Sequence, residues 1–173
     1  MTLTGRVLRA FLLLVCLGIA GMWVYAFGFA SKESVNRIGD TEWQQYAESR
    51  CDVAKRERIA LADMRKVNEV GPDALRERAD IVDKATDTIE RAVDDIAGRP
   101  IADDKGRAIV PLWLADYRTY IEDRRQYADD LRAGINEPFA ETKVDGIPIS
   151  EKISTFAADN LMRSCTAPID LSV

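Results

Sequence analysis

The stretch RAFLLLVCLGIAGMWVYAFGFASK, from Arg9 to Lys32, sets 22 residues between two charges with no Asp, Glu, Lys or Arg among them. An α-helix rises about 1.5 Å per residue, and about 20 apolar residues cross a hydrocarbon core about 30 Å thick. The sequence therefore predicts a transmembrane helix over residues 10–31. A cleaved secretory signal carries a shorter apolar run, about 7–15 residues, closed by small residues. Gly28-Phe29-Ala30 has the small-x-small spacing, but the run before it is too long, and a retained anchor is the expectation. A lipidated cysteine normally follows a small residue; Val15 precedes Cys16, so Cys16 reads as a small apolar side chain within lipid.

The flanks set the expected orientation. Arg6 and Arg9 precede the span and no acid occurs before residue 31, so residues 1–9 are expected in the cytoplasm and the bulk of the chain outside it. Trp23, Tyr25, Phe27 and Phe29 crowd the far end, where amphipathic rings favour the headgroup layer. Cys16 with Ala20, and Ala26 with Ala30, place small residues four apart, a spacing that lets a second helix approach closely. Membrane lipid is thus the first expected partner, and other membrane or envelope proteins the second.

The chain carries 24 basic and 29 acidic side chains. The two arginines before residue 31 leave 22 against 29 beyond it, a net charge of −7. Phosphate binding requires clustered positive charge, so nucleic acid is not an expected partner. Residues 32–40 read as a short tether, and residues 41–173 suffice for one domain with its own core. Cys51 and Cys165 are the cysteines of that part, which gives a single possible pairing. Export to an oxidising compartment permits the bridge; two free buried thiols are the alternative.

Helical periodicity dominates the outer part, so the expected class is all-α: an N-terminal transmembrane helix, then an extracytoplasmic bundle of three long helices and one short. The first starts near Asp40 or Thr41, with Thr41 and Gln44 as a capping box, turns Trp43, Ala47, Cys51, Ala54, Leu61 and Met64 to one side, and stops at Gly71-Pro72. The second carries Leu75, Ala79, Val82, Thr86, Ile89, Val93 and Ile96 at alternating spacings of four and three. Acid-first pairs, Asp80 with Lys84 and Asp87 with Arg91, fit its exposed side. The third is expected to open at Pro111 in its first turn and run to Gly134. Asp145-Gly146 then fits the turn of a small hairpin within residues 142–149, and Ser150 fits the cap of a short helix containing Ile153, Phe156, Ala157 and Leu161.

None of the 173 residues is histidine. That removes Ser-His-Asp and Cys-His nucleophile systems and most zinc sites, since the neutral-pH base and commonest metal ligand is missing. The acid pairs Asp94-Asp95, Asp103-Asp104 and Asp129-Asp130 lack calcium-loop spacing, and no glycine-rich phosphate loop occurs. No catalytic residue, cofactor or metal is expected. The richest recognition stripe is Trp113, Tyr117, Tyr120, Arg124 and Tyr127, residue types that dominate binding hot spots. It reads either as a partner-binding surface or as the bundle's own core; a buried Arg124 then requires a carboxylate.

The segments WQQYAESRC, VPLWLADYRTYIEDRRQYADDLRAG and GIPISEKISTFAADNLMRSC resemble, across most of residues 41–168, a family of actinobacterial envelope proteins of uncharacterised function. That resemblance implies an N-terminal anchor, a helical outer domain and paired cysteines matching Cys51 and Cys165. Accessory subunits of the actinobacterial cytochrome bcc–aa3 respiratory supercomplex are similar in architecture, one spanning helix with an outer domain. The expected function is a non-enzymatic, membrane-anchored accessory or scaffolding subunit of a bacterial envelope complex, such as a respiratory supercomplex. The alternative is a membrane-tethered binder of a small ligand or cell-wall component.

Overall fold

The computed structural model describes residues 3–29, 34–61 and 73–171, and the chain divides into two compact units, Met1–Ser34 and Val35–Val173. Among its described residues the first unit holds one helix, α1 (Leu3–Gly28). Its Gly5–Gly28 portion is long and apolar enough to cross a membrane and is nowhere buried by the rest of the chain. At about 1.5 Å per residue it measures about 36 Å. The helix takes in Arg6 and Arg9 and ends earlier than expected, with Phe29 already in a turn; residues 30 and 31 lie outside the described residues.

The second unit is an all-α bundle with a small two-stranded appendage: α2 (Thr41–Ala60), α3 (Asp73–Ala97), α4 (Asp104–Arg132), β1 (Lys143–Val144), β2 (Ile147–Pro148), α5 (Ile149–Asp159), and a 3₁₀ turn at Arg163–Cys165. The three long helices and one short helix match the expected architecture. α3 packs against both α2 and α4, α5 covers α4, and the 3₁₀ turn sits against α2.

Helix starts are set by capping groups that the periodicity did not reveal. Asp40, not a Thr41–Gln44 box, caps α2: its carboxylate accepts the Trp43 N–H at 2.9 Å, satisfying one of the orphan donors of the first turn. Gln44 is instead buried and donates to Ile38 O at 3.1 Å and Asn160 Oδ1 at 3.2 Å. The segment 35–40, expected as part of a tether, is thereby docked, with Ile38 buried. α2 ends at Ala60, with Leu61 half-buried; Met64 and Gly71-Pro72 lie outside the described residues.

α4 begins at Asp104, seven residues before Pro111, because Asp103 caps it by accepting the Gly106 N–H at 2.8 Å. Proline inside a helix removes one N–H and crowds the preceding turn; here Pro111 lies on the exposed side of α4. α4 closes in a Schellman turn, Ile135 N to Asp130 O at 2.9 Å and Gly134 N to Leu131 O at 3.1 Å, with Gly134 at φ +84°.

The hairpin forms where expected, though each strand is only two residues long. Lys143 pairs with Pro148 and Val144 with Ile147, across Asp145 (φ 54°) and Gly146 (φ 81°), the paired positive values of a type I′ turn. Ser150 does not cap α5. Its N–H and hydroxyl donate to the Glu141 carboxylate at 2.7 and 2.8 Å, so the preceding loop supplies the cap. Leu161, expected within the helix, lies beyond its end at Asp159, exposed and at φ 60°, and the next residue, Met162, is buried. The α3 acids also depart from expectation: Asp80 pairs with Arg132 and Asp87 with Arg125, both on α4, while Arg91 meets Glu57 on α2. Guanidinium groups of adjacent helices reach these carboxylates with several donors each, so the pairs stitch helices together instead of running along one.

Candidate functional site

The aromatic stripe of α4 is buried in the domain's own core, which corrects its reading as a partner surface. Trp113, Tyr117, Tyr120 and Arg124 are each no more than 3% exposed, and Tyr127 is 9%. Trp113 is the centre of an aromatic cluster: Tyr117 meets it edge-on at 5.1 Å, Trp43 edge-on at 6.1 Å, and Phe156 stacks at 5.2 Å. Tyr127 packs edge-on against Phe139 at 5.7 Å. The stripe does bind a peptide, namely the chain's own C-terminal segment.

Three stripe residues, about one helical turn apart, reach that segment in order. Tyr117 Oη donates to Cys165 O at 2.8 Å, Tyr120 Oη to Pro168 O at 2.6 Å, and Arg124 makes two parallel 3.0 Å bonds to the Asp170 carboxylate. Arg124 Nε donates to Thr86 Oγ1 on α3 at 3.0 Å, and Arg58 of α2 approaches Asp170 at 3.4 Å. From α2, Glu48 accepts the Ser164 N–H. The Cys51–Cys165 disulfide bonds the same segment to α2, with the two Cα atoms 5.1 Å apart. The C-terminal strap is therefore fixed covalently at one end and by a fork-shaped ion pair at the other.

The electrostatics follow from this burial. Burial pushes the Tyr117 phenol well above its ordinary range, with the neighbouring Tyr120 adding to it. Tyr120 is raised by burial against the pull of Arg124. Burial acts to raise Asp170, but the hydrogen bonds and charges of Arg124 and Arg58 outweigh it and hold the carboxyl below the usual range. The tyrosines stay neutral and donate; Asp170 stays ionised and accepts. The arrangement orders a strap.

A second buried network fixes the other end of the domain. Asn160 Oδ1 accepts from Ile38 N at 2.9 Å and from Gln44, and its amide donates to Asn36 O at 3.1 Å and Phe156 O at 2.9 Å. Residues 36–38 are thus clamped at the C-terminal end of α5. The sequence alone marks none of Asp170, Asn160 and Glu48, and it marks Gln44 only as half of a capping box. The available signals were indirect: Thr86 is a polar residue inside an apolar stripe, and Arg124 demanded an acid.

Two open grooves lie on the surface of the bundle. One, of about 330 Å³, lies between α4 and α5, with Ile109, Leu112, Ile147 and Phe156 as apolar lining and the Asp116–Lys152 pair (3.0 Å) beside them. The other, of about 230 Å³ between α2 and α3, is polar and bridged by Arg50–Asp95 and Arg91–Glu57. The acid pairs are engaged in structural work, Asp103 as a cap, Asp95 with Arg50, and Asp129 with Arg132. Cys16, Ala20 and Ala26 are exposed along α1; Ala30 lies outside the described residues. Trp23 and Phe27 stack at 5.2 Å. Comparison with protein families, with curated proteins and with solved structures returns no match to this chain.

Proposed function

We propose that the chain is a membrane-anchored, non-enzymatic accessory or scaffolding subunit of a bacterial envelope complex, with α1 in lipid and the helical domain outside the cytoplasm. The observation that carries this reading is the pairing of a wholly exposed apolar helix with a bundle whose polar and aromatic groups are spent on internal order. An apolar helix of that length needs lipid or other helices to cover it. The domain behind it lacks histidine, and its two cysteines are bonded to each other, which leaves neither a neutral-pH base nor a thiolate nucleophile of the usual kinds.

The ligand-binder alternative draws less support. Small-molecule sites are concave and enclose most of the ligand, whereas the grooves here are open and the bundle interior is filled by Trp43, Trp113, Tyr117 and Phe156. The test is extraction of the full chain from its native membrane in mild detergent, followed by identification of what co-purifies in fixed ratio. The proposal expects one or more membrane proteins at constant stoichiometry, and haem absorption in that material for the respiratory form of the reading. Recovery of the chain alone as a monodisperse monomer would contradict it.

A further inference from the structure

Exposed apolar side chains of the outer unit gather where the chain enters it. Val35 is 87% exposed, and its neighbour Asn36 lines the α4/α5 groove together with Leu112 and Ile147. Those two are 65% and 45% exposed. Asn36 O also accepts from Asn160, and the next residue, Leu161, is 61% exposed in a left-handed conformation. Four large apolar side chains from three parts of the chain thus border one clamped segment, with Ile109 and Phe156 in the groove between them.

The bilayer is the one surface that the chain's own connectivity keeps within reach of this patch. Six residues separate Gly28, the last of α1, from Val35. Fully extended, that connection spans at most about 25 Å, whatever the arrangement of the two units. A tethered surface acts at a high effective concentration, so modest apolar contact suffices to hold it. The charges beside the patch are mixed: Lys105 donates to Arg37 O at 2.6 Å, Lys152 pairs with Asp116, Asp159 accepts from Asn36, and Glu151 is exposed. A strongly anionic surface would repel the last two, whereas a zwitterionic one tolerates the mixture.

We propose that the rim formed by Val35, Leu112, Ile147 and Leu161 rests on the outer face of a zwitterionic bilayer, laying the bundle against the lipid that holds its anchor. This rests on the reading of α1 as a membrane anchor. The contact is apolar and therefore insensitive to salt, unlike headgroup recognition by charge.

The test uses the full chain in phosphatidylcholine nanodiscs. In a Cys16→Ser background, Leu112→Cys, Ile147→Cys and, as a control remote along α4, Ile135→Cys are each labelled with an environment-sensitive fluorophore. A separate sample carries the label on native Cys16. Spin-labelled lipids with quenchers near the headgroup are expected to quench positions 112 and 147 severalfold more than 135, equally at low and high salt, while deep quenchers act on Cys16. If Cys16 is quenched and positions 112 and 147 match 135, lipid contact is overturned and the anchor reading stands. If Cys16 is not quenched, both fail. Shielding of 112 and 147 from aqueous iodide without quenching by lipid would overturn the proposal in favour of a protein cover, a second copy included.

Discussion

Arg124 is the residue on which the helical domain's order turns. It has no exposed side-chain surface, and two of its three guanidinium bonds end on Asp170, 46 residues away. Removing one member of a buried pair leaves an uncompensated charge, a loss of about 3–5 kcal/mol. Arg124→Ala is therefore expected to lower the unfolding free energy of the helical domain by that order, read from denaturation followed by near-UV circular dichroism on the full chain in detergent. Arg124→Lys falls between, since a point charge cannot reproduce the fork. Asp170 fixes the pH dependence. Its carboxyl is held below the ordinary carboxylate range in the folded chain by Arg124 and Arg58, so its contribution is fully present above about pH 4, the unfolded value, and is lost as pH falls through the lower folded value. Asp170→Asn should flatten that acid limb; an unchanged limb contradicts the assignment. The sequence made Arg124 conspicuous because a charge on an apolar stripe needs an acid, but nothing local named Asp170, whose partnership exists only once the tail crosses three helices. Leu161 carries the opposite lesson. A branched side chain at φ 60° is strained where glycine is not, and Leu161→Gly is expected to raise stability by about 0.5–1 kcal/mol.

At the scale of elements, the apolar periodicity of α2, α3 and α4 was enough to place the three long helices, and Asp145-Gly146 was enough to place the hairpin. The start of α2 was legible, but that of α4 was not, and neither were the capping groups, whose role depends on the fold: Asp103 in a loop, and Glu141 at a distance from Ser150. Gly106 shows the consequence. A Cβ there would lie 2.6 Å from Ile101 Cγ2 and 2.7 Å from Asp103 Oδ2, so Gly106→Ala is expected to displace the cap and cost about 1–2 kcal/mol, measured by the same denaturation. The strap tests a larger element. Cys51 and Cys165 are separated by 114 residues, and a loop of that size restrains the unfolded chain by about 4–5 kcal/mol on the chain-entropy account. Reduction, or Cys51→Ser with Cys165→Ser, is expected to lower stability by that order without abolishing the Arg124–Asp170 bond. Cross-helix pairs such as Asp87–Arg125 were illegible because sequence spacing reveals only neighbours on the same helix.

For the whole molecule, the legible part was the contrast between an apolar first 30 residues and an acidic remainder, because hydrocarbon and water sort side chains without reference to tertiary detail. The candidate site was only half legible: spacing found the α4 stripe, while its use as the core and as the binding face for the chain's own tail depended on packing that spacing does not encode. The account holds together on one proposition, that α1 stays in the bilayer and the cross-linked bundle lies on the non-cytoplasmic side. Digestion of sealed cells with an external protease tests this most directly, with fragments followed by antibodies to the outer domain and to a tag on the N-terminus. The account predicts loss of the outer-domain signal and survival of a tagged, membrane-bound N-terminal fragment, while a cytoplasmic control protein remains intact. Full protection of the outer domain in those sealed cells, with digestion only after lysis, would contradict it.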